Sequence, residues 1–127
     1  MRLMDLPSRV VECGLEFGAS DVVAHLIDSD HTMIRFSNNE VTISKNYREA
    51  AISIFVMVGK HRAGSELNVI APKEVKKAVK DIIKMAKMSP PSETYAPLPE
   101  GPFQYNPRLL RSSKVSLHPE QLAGYVE

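Results

Sequence analysis

The sequence predicts a two-layer α+β fold, in which an antiparallel β-meander carries two packed helices and is followed by an extended Pro-rich arm. Three observations predict it: extended apolar runs joined by two-residue turns, a periodic amphipathic helix, and a cluster of prolines. With 127 residues, 43% of them hydrophobic, the chain can bury one core. We therefore expect an N-terminal domain over residues 5–88, an arm over 89–107, and the truncated start of a second domain over 108–127.

The first helix is predicted from Pro7 to Phe17. Proline suits a first helical turn, and apolar residues such as Val10 and Leu15 recur at roughly helical spacing. Gly14 is a weak point inside this helix, whereas Gly18 stands where a C-cap glycine belongs.

A meander of extended runs follows this helix. Its two-residue joints at Ser29-Asp30, Asn38-Asn39 and Gly59-Lys60 favour antiparallel hairpins. The fourth run is apolar on both sides, so we place it at the centre of the sheet. The five runs are Asp21–Asp28, His31–Ser37, Glu40–Asn46, Ala50–Val58 and His61–Leu67.

The clearest element is a second helix over residues 72–88, which Pro72 opens and Pro90-Pro91 stops. Its apolar side chains keep the spacing of a helix that lies on a core, and its polar side is rich in lysine. Such a stripe is usually a solvated face, but it also allows an alternative function as a DNA- or gyrase-binding module. The six lysines are Lys73, Lys76, Lys77, Lys80, Lys84 and Lys87.

The arm carries six of the nine prolines and three of the eight aromatic residues: Tyr95, Phe103 and Tyr105. A free linker would carry Ser, Gly or Glu at such positions. The three rings therefore predict a partner-binding segment, which lies either back over its own sheet or against a neighbouring domain or subunit. We favour the second arrangement. After the arm, the sequence of residues 118–127 predicts the start of a helix.

Catalytic and metal-binding motifs are missing from the sequence. None of the four histidines is followed by Glu, no two have the spacing of a helical zinc site, and Cys13 is the single cysteine. We therefore assign no catalytic, cofactor-binding or metal-binding residue. The net charge of +1 gives no general attraction to nucleic acid, and the sequence shows neither a membrane span nor a signal peptide, so we expect a cytoplasmic location.

Several strings in this order resemble the N-terminal region of the TldD/PmbA family. They are the run Met33–Val41, the run Ala51–Lys60 and the turn Ala63-Gly64-Ser65. In that family, a strand of the form IRxxNGEV precedes one of the form GVRVxVxGxxGFAS. The resemblance spans about residues 5–105, with Asn39 where glycine is usual and Ala71 in place of an N-capping residue.

The resemblance implies that the parent is a zinc-dependent peptidase acting on peptides or unfolded chains, or its inactive partner subunit. Family members are also called modulators of DNA gyrase and work as TldD/TldE-type pairs, with zinc held by an HExxxH motif beyond the N-terminal region. This sequence lacks that motif, so zinc would belong to the full-length parent. The implied partners are a second copy or a paired TldD/PmbA-type subunit, and the implied role is dimer formation or enclosure of the substrate chamber.

Overall fold

The computed structural model describes residues 3–68 and 71–110, together with the single residues 121 and 124. The predicted second domain over 108–127, with its helix start at 118–127, lies almost wholly outside these described residues. The helices and strands are α1 (Leu6–Glu16), β1 (Asp21–Ser37), β2 (Glu40–Val58), β3 (His61–Leu67) and α2 (Pro72–Met88), with 3₁₀ turns at Leu3–Asp5 and Pro107–Leu110.

The predicted α+β fold is confirmed. The three strands form one antiparallel sheet in the order β1-β2-β3, so β2 is central, as its apolar character on both sides predicts. β2 pairs with β3 from Ile52 opposite Leu67 to Val58 opposite His61. α2 packs against β3 and also against α1.

The sheet differs from the prediction in having three strands where five were expected. β1 continues without a break through Ser29-Asp30, where the sequence predicts a turn, and β2 continues through residues 47–49. Asp28 and Asp30 are both exposed, so neither has to leave the sheet to reach water. The predicted turn at Asn38-Asn39 is confirmed, and the φ angles of 52° and 60° give it the two left-handed residues of a type I′ hairpin turn.

The core lies between one face of the sheet and the two helices. Ile52, Ile54 and Val56 alternate along β2 and are 0, 2 and 0% exposed. Burying each such side chain stabilises the fold by roughly 1.5–3 kcal/mol. Their partners in the core are Leu6, Val10, Ala19, Val22, Val75, Val79, Ile82 and Ile83.

The end of α1 is a Schellman motif that also sets the start of the sheet. The Gly18 N–H donates to the Leu15 carbonyl and the Ala19 N–H donates to the Gly14 carbonyl, both at 3.0 Å. Gly18 has a φ of 90°, which confirms its predicted role after the helix end. The next residue, Ser20, donates its backbone N–H to the Met57 carbonyl at 2.8 Å and so joins the beginning of β1 to the end of β2.

Gly14 is needed for the close approach of α1 to β1. A Cβ atom at this position would lie 2.6 Å from Cγ2 and 3.3 Å from Cγ1 of Val22. Valine has a stiff χ1 angle, so Val22 cannot turn aside without moving its neighbours. Gly14, which weakens the helix by its sequence, is therefore required for the packing of α1 on β1.

The chain divides into two compact units. The first comprises Met1–Ser29 and Glu49–Leu98, and the second comprises Asp30–Arg48 and Pro99–Glu127. All the fully buried apolar side chains of the described residues lie in the first unit. Within the described part of the second unit every side chain with an assigned exposure is exposed, except half-buried Ile34.

We predict that Gly14→Ala destabilises the protein, although alanine favours an isolated helix by about 0.5–1 kcal/mol. Overpacking against Val22 should cost about 1–3 kcal/mol, measured as the free energy of unfolding in urea. The same change should cost much less in a Val22→Ala background, where the clashing atoms are gone. Leu15→Ala, next to Gly14 but half exposed, is the matched control, and a Gly14→Ala variant more stable than the native chain would contradict the close approach.

Candidate partner-binding site

The first of the three predicted partner-binding residues is held by its own chain. The Tyr95 hydroxyl donates a hydrogen bond to Oδ2 of Asp21 at 3.1 Å, and the tyrosine side chain is half-buried. Burial raises the pKa of Tyr95, and the hydrogen bond to Asp21 and the charge of Asp21 raise it further, while a hydrogen bond with Ser20 opposes them. The hydrogen bond joins Tyr95 to the first residue of β1 in the same chain.

The residues that lead to Tyr95 are also hydrogen-bonded to the sheet. His61 Nδ1 lies 2.6 Å from the Ser89 carbonyl oxygen, and because that oxygen only accepts, Nδ1 is the donor of this hydrogen bond. The Ser89 hydroxyl donates to the Arg62 carbonyl at 3.0 Å, and the Ser92 N–H donates to the Lys60 carbonyl at 2.8 Å. Residues 89–95 thus follow a defined path from the end of α2 past the start of β3.

The other two predicted residues, Phe103 and Tyr105, lie in the second unit and contact each other. Their ring centroids are 6.4 Å apart with an interplanar angle of 55°, a favourable tilted geometry. The two side chains are 53% and 72% exposed. The structure therefore brings Phe103 and Tyr105 together as a pair with most of its apolar surface in water.

The hairpin part of the second unit, Asp30–Arg48, is here called the ribbon. Sequence alternation places Ile34 and Phe36 on one face of β1 and Val41 and Ile43 on one face of β2, which is typical of a core face. Phe36 and Val41 are instead 56% and 49% exposed. The sequence analysis assigned no binding role to these residues, since alternation does not show whether a covering partner belongs to the same chain.

Ring and polar contacts hold the ribbon together. His31 stacks on Tyr47 with ring centroids 4.8 Å apart, and Lys45 Nζ lies 4.7 Å from the Tyr47 centroid. The Thr42 hydroxyl donates to the Arg35 carbonyl at 3.1 Å. These contacts link the two strands without creating a buried core.

A groove of about 320 Å³ lies between α1 and α2, lined by Cys13 among other residues. Burial raises the pKa of the Cys13 thiol, although the nearby Lys76 opposes this shift. A thiol with a raised pKa is mostly protonated at neutral pH and a poor nucleophile. The rim carries both signs of charge, Arg9 and Lys76 beside Glu12 and Glu16, and gives no chemistry beyond helix packing.

Two lysines of the lysine-rich helix contact an aromatic ring. Nζ of Lys80 and of Lys76 lie 4.6 Å and 5.6 Å from the centroid of Phe17. Lys84 pairs with Asp81 at 3.7 Å on the exposed surface. This face of α2 therefore serves in part to join α2 to the end of α1.

Metal-binding clusters and membrane-spanning helices are both absent from residues 3–68 and 71–110. No group of three or more His, Cys, Asp or Glu side chains in this part of the chain lies close enough to hold a metal ion. None of its helices is both long and apolar enough to cross a membrane.

Comparison with known proteins gives matches to solved structures. No protein-family model matches the sequence, and no curated protein matches it. TldE from Thermococcus kodakarensis matches with a TM-score of 0.69 and 22% sequence identity, over 84% of this chain and 25% of that chain. The chain shares its fold with TldE.

A second structure supports this fold. A protein from Bacteroides thetaiotaomicron, titled a putative modulator of DNA gyrase, matches with a TM-score of 0.64 and 17% identity, over 71% of this chain and 20% of that chain. The sequence resemblance to the TldD/PmbA family is thus confirmed at the level of the fold. The chain spans about a quarter of the length of TldE and a fifth of the length of the second protein.

The anchoring of Tyr95 predicts a difference in alkaline stability between the native chain and Tyr95→Phe. Because the pKa of Tyr95 is raised in the folded state, its neutral phenol contributes its full stabilisation at every pH below the ordinary tyrosine pKa of about 10. It is lost as the pH rises through the raised folded value. Urea unfolding at a series of pH values should therefore show a steeper alkaline loss for the native chain than for Tyr95→Phe.

Tyr105→Phe is the matched control for this measurement, because Tyr105 is mostly exposed. It should follow the native curve. Parallel alkaline curves for the native chain and Tyr95→Phe would show that the Asp21 hydrogen bond does not contribute to the fold.

Proposed function

We propose that this chain is the non-catalytic N-terminal segment of a TldD/PmbA-like protein. The observation that carries the proposal is the fold shared with TldE over 84% of the chain. Two strings resemble the family on sequence alone. Met33–Val41 spans the hairpin turn between β1 and β2, and Ala51–Lys60 covers the end of β2 and the turn after it. Fold and sequence pattern therefore support the same family through different observations.

The parent would be a zinc-dependent peptidase acting on peptides or unfolded chains, or the inactive partner subunit of such an enzyme. In either case the segment supplies structure: it helps to form the pair of subunits or encloses the substrate chamber. The distribution of apolar surface supports this role, because the first unit buries its own core while the second exposes Phe36, Phe103 and Tyr105. The peptidase chemistry belongs to the remainder of the parent.

We predict that the isolated chain binds no stoichiometric zinc and cleaves no peptide. The four histidines and Cys13 have no local two-ligand spacing, and a structural or catalytic zinc site takes at least three protein ligands. Chain dialysed against zinc and then against buffer should hold much less than one metal ion per chain by elemental analysis. Tight equimolar zinc that is lost in His25→Ala or His61→Ala would refute this assignment.

DNA or gyrase binding through α2 is the second candidate, favoured by the exposure of all six helix lysines. A phosphate-binding face needs cations that remain available to the ligand. Lys76 and Lys80 lie over Phe17 and Lys84 lies near Asp81. These contacts support the structural role over the nucleic-acid one.

We predict that the variant Lys73→Gln, Lys77→Gln, Lys87→Gln folds normally, each substitution changing the free energy of unfolding by less than about 0.5 kcal/mol. These three lysines are exposed. Duplex DNA should bind the native chain no more tightly than the non-specific range of about 10⁻⁴ to 10⁻⁶ M at physiological salt. Fluorescence anisotropy over a salt series measures this, and sub-micromolar binding abolished by the triple variant would favour the second candidate.

A further inference from the structure

The second unit differs from the first in burying no apolar core of its own, although both units expose some large apolar side chains. Over residues 30–48 and 99–109 of this unit, Ile34 alone is half-buried and no side chain is fully buried. A two-stranded hairpin is at best marginally stable by itself in water. The large apolar side chains that the second unit exposes are Met33, Phe36, Val41, Ile43, Tyr47, Phe103, Tyr105 and Leu109.

The ribbon carries part of this surface on one face. Because Asn38 and Asn39 form a two-residue turn, Phe36 lies opposite Val41, and on the same face Ile34 lies opposite Ile43. Four large apolar side chains thus form a stripe across both strands. An apolar stripe that stays half exposed marks an interaction site on a soluble protein.

The Phe103–Tyr105 pair provides a second apolar patch in the same unit. An aromatic side chain buries about 150–250 Å² when fully covered, so the exposed parts of Phe36, Phe103 and Tyr105 leave on the order of 300 Å² in water. The exposed aliphatic side chains add to this area. An exposed apolar area of several hundred Å² is of the same order as the roughly 800 Å² per partner that a standard stable interface buries.

Charge indicates what this surface binds. The ribbon and residues 99–110 carry four cationic and three anionic side chains: Arg35, Lys45, Arg48 and Arg108 against Asp30, Glu40 and Glu100. Such a balanced surface does not repel a copy of itself, and it lacks the excess positive charge that nucleic acid or an anionic membrane attracts. The lysine-rich α2, in contrast, belongs to the first unit and would repel its own copy.

We propose that the stripe Ile34, Phe36, Val41 and Ile43, together with the Phe103–Tyr105 pair, is the surface through which the chain pairs with a second copy of itself. This inference rests on the proposed function, since it names the surface and the partner for subunit pairing. The arm then has two parts: residues 89–95 hold it to the first unit, and residues 99–110 contribute rings to the interface.

Sedimentation equilibrium of the intact chain over a concentration series tests this proposal. The native chain should form dimers, and Phe36→Ala and Tyr105→Ala should each raise the dimer dissociation constant by roughly tenfold or more. The thermal midpoint measured at low concentration, where the monomer dominates, should change little because neither residue is buried in the core. Leu15→Ala, which removes a similarly exposed side chain from the first unit, should leave the dissociation constant unchanged.

A second measurement avoids dependence on the variants. Hydrogen exchange of the native chain should show protection of residues 34–43 that rises with protein concentration, while the exchange of α2 stays constant. A chain that remains monomeric over the whole series would overturn the proposal. So would dimers whose dissociation constant is unaffected by both substitutions, or equally affected by Leu15→Ala.

Failure of this test is distinguishable from failure of the proposed function. If the chain is monomeric or pairs through another surface, but binds no zinc and cleaves no peptide, the pairing proposal is wrong. The assignment as an N-terminal segment then still stands. Stoichiometric zinc lost on histidine substitution removes that assignment whatever the state of association.

Discussion

Burial of one face of β2 is the constraint on which the rest of the fold depends. Ile52, Ile54 and Val56 are almost completely removed from water, and this requires both α1 and α2 to lie on that face. A buried strand must also satisfy its backbone groups on both edges. β3 pairs with β2 from Ile52 to Val58, so the part of β2 in the core is the part with a neighbouring strand on each side.

The same constraint explains why the chain has two units. β3 ends where Leu67 pairs with Ile52, and from Ala50 toward the hairpin turn β2 has only β1 as its partner in the described sheet. Side chains on this part of β2 are exposed from Glu40 to Glu49. Both strands continue to alternate apolar and polar side chains beyond the end of the core. The ribbon therefore has the sequence pattern of a buried face, although all its side chains except half-buried Ile34 are exposed.

Local signals in the sequence predicted much of this structure. α2 begins at Pro72 and ends at Met88 as its periodicity and the following prolines indicate, and Gly18 follows α1 as a left-handed residue. The turn expected at Ser29-Asp30 is wrong: β1 continues there, because an antiparallel strand with a solvated face can carry polar side chains such as Asp28 and Asp30. The requirement for Gly14 and the anchoring of Tyr95 depend on Val22 and Asp21, contacts that no local pattern specifies.

The positions of the charged and aromatic side chains separate structural from interacting surface. Lys76 and Lys80 look from the sequence like free cations, but their ammonium groups lie over the Phe17 ring and so link α2 to the end of α1. Phe103 and Tyr105 resemble Tyr95 in sequence context, yet Tyr95 is half-buried while Phe103 and Tyr105 remain more than half exposed. Covering such rings would remove the cost of leaving them in water, and the surface proposed for pairing accordingly lies in the second unit.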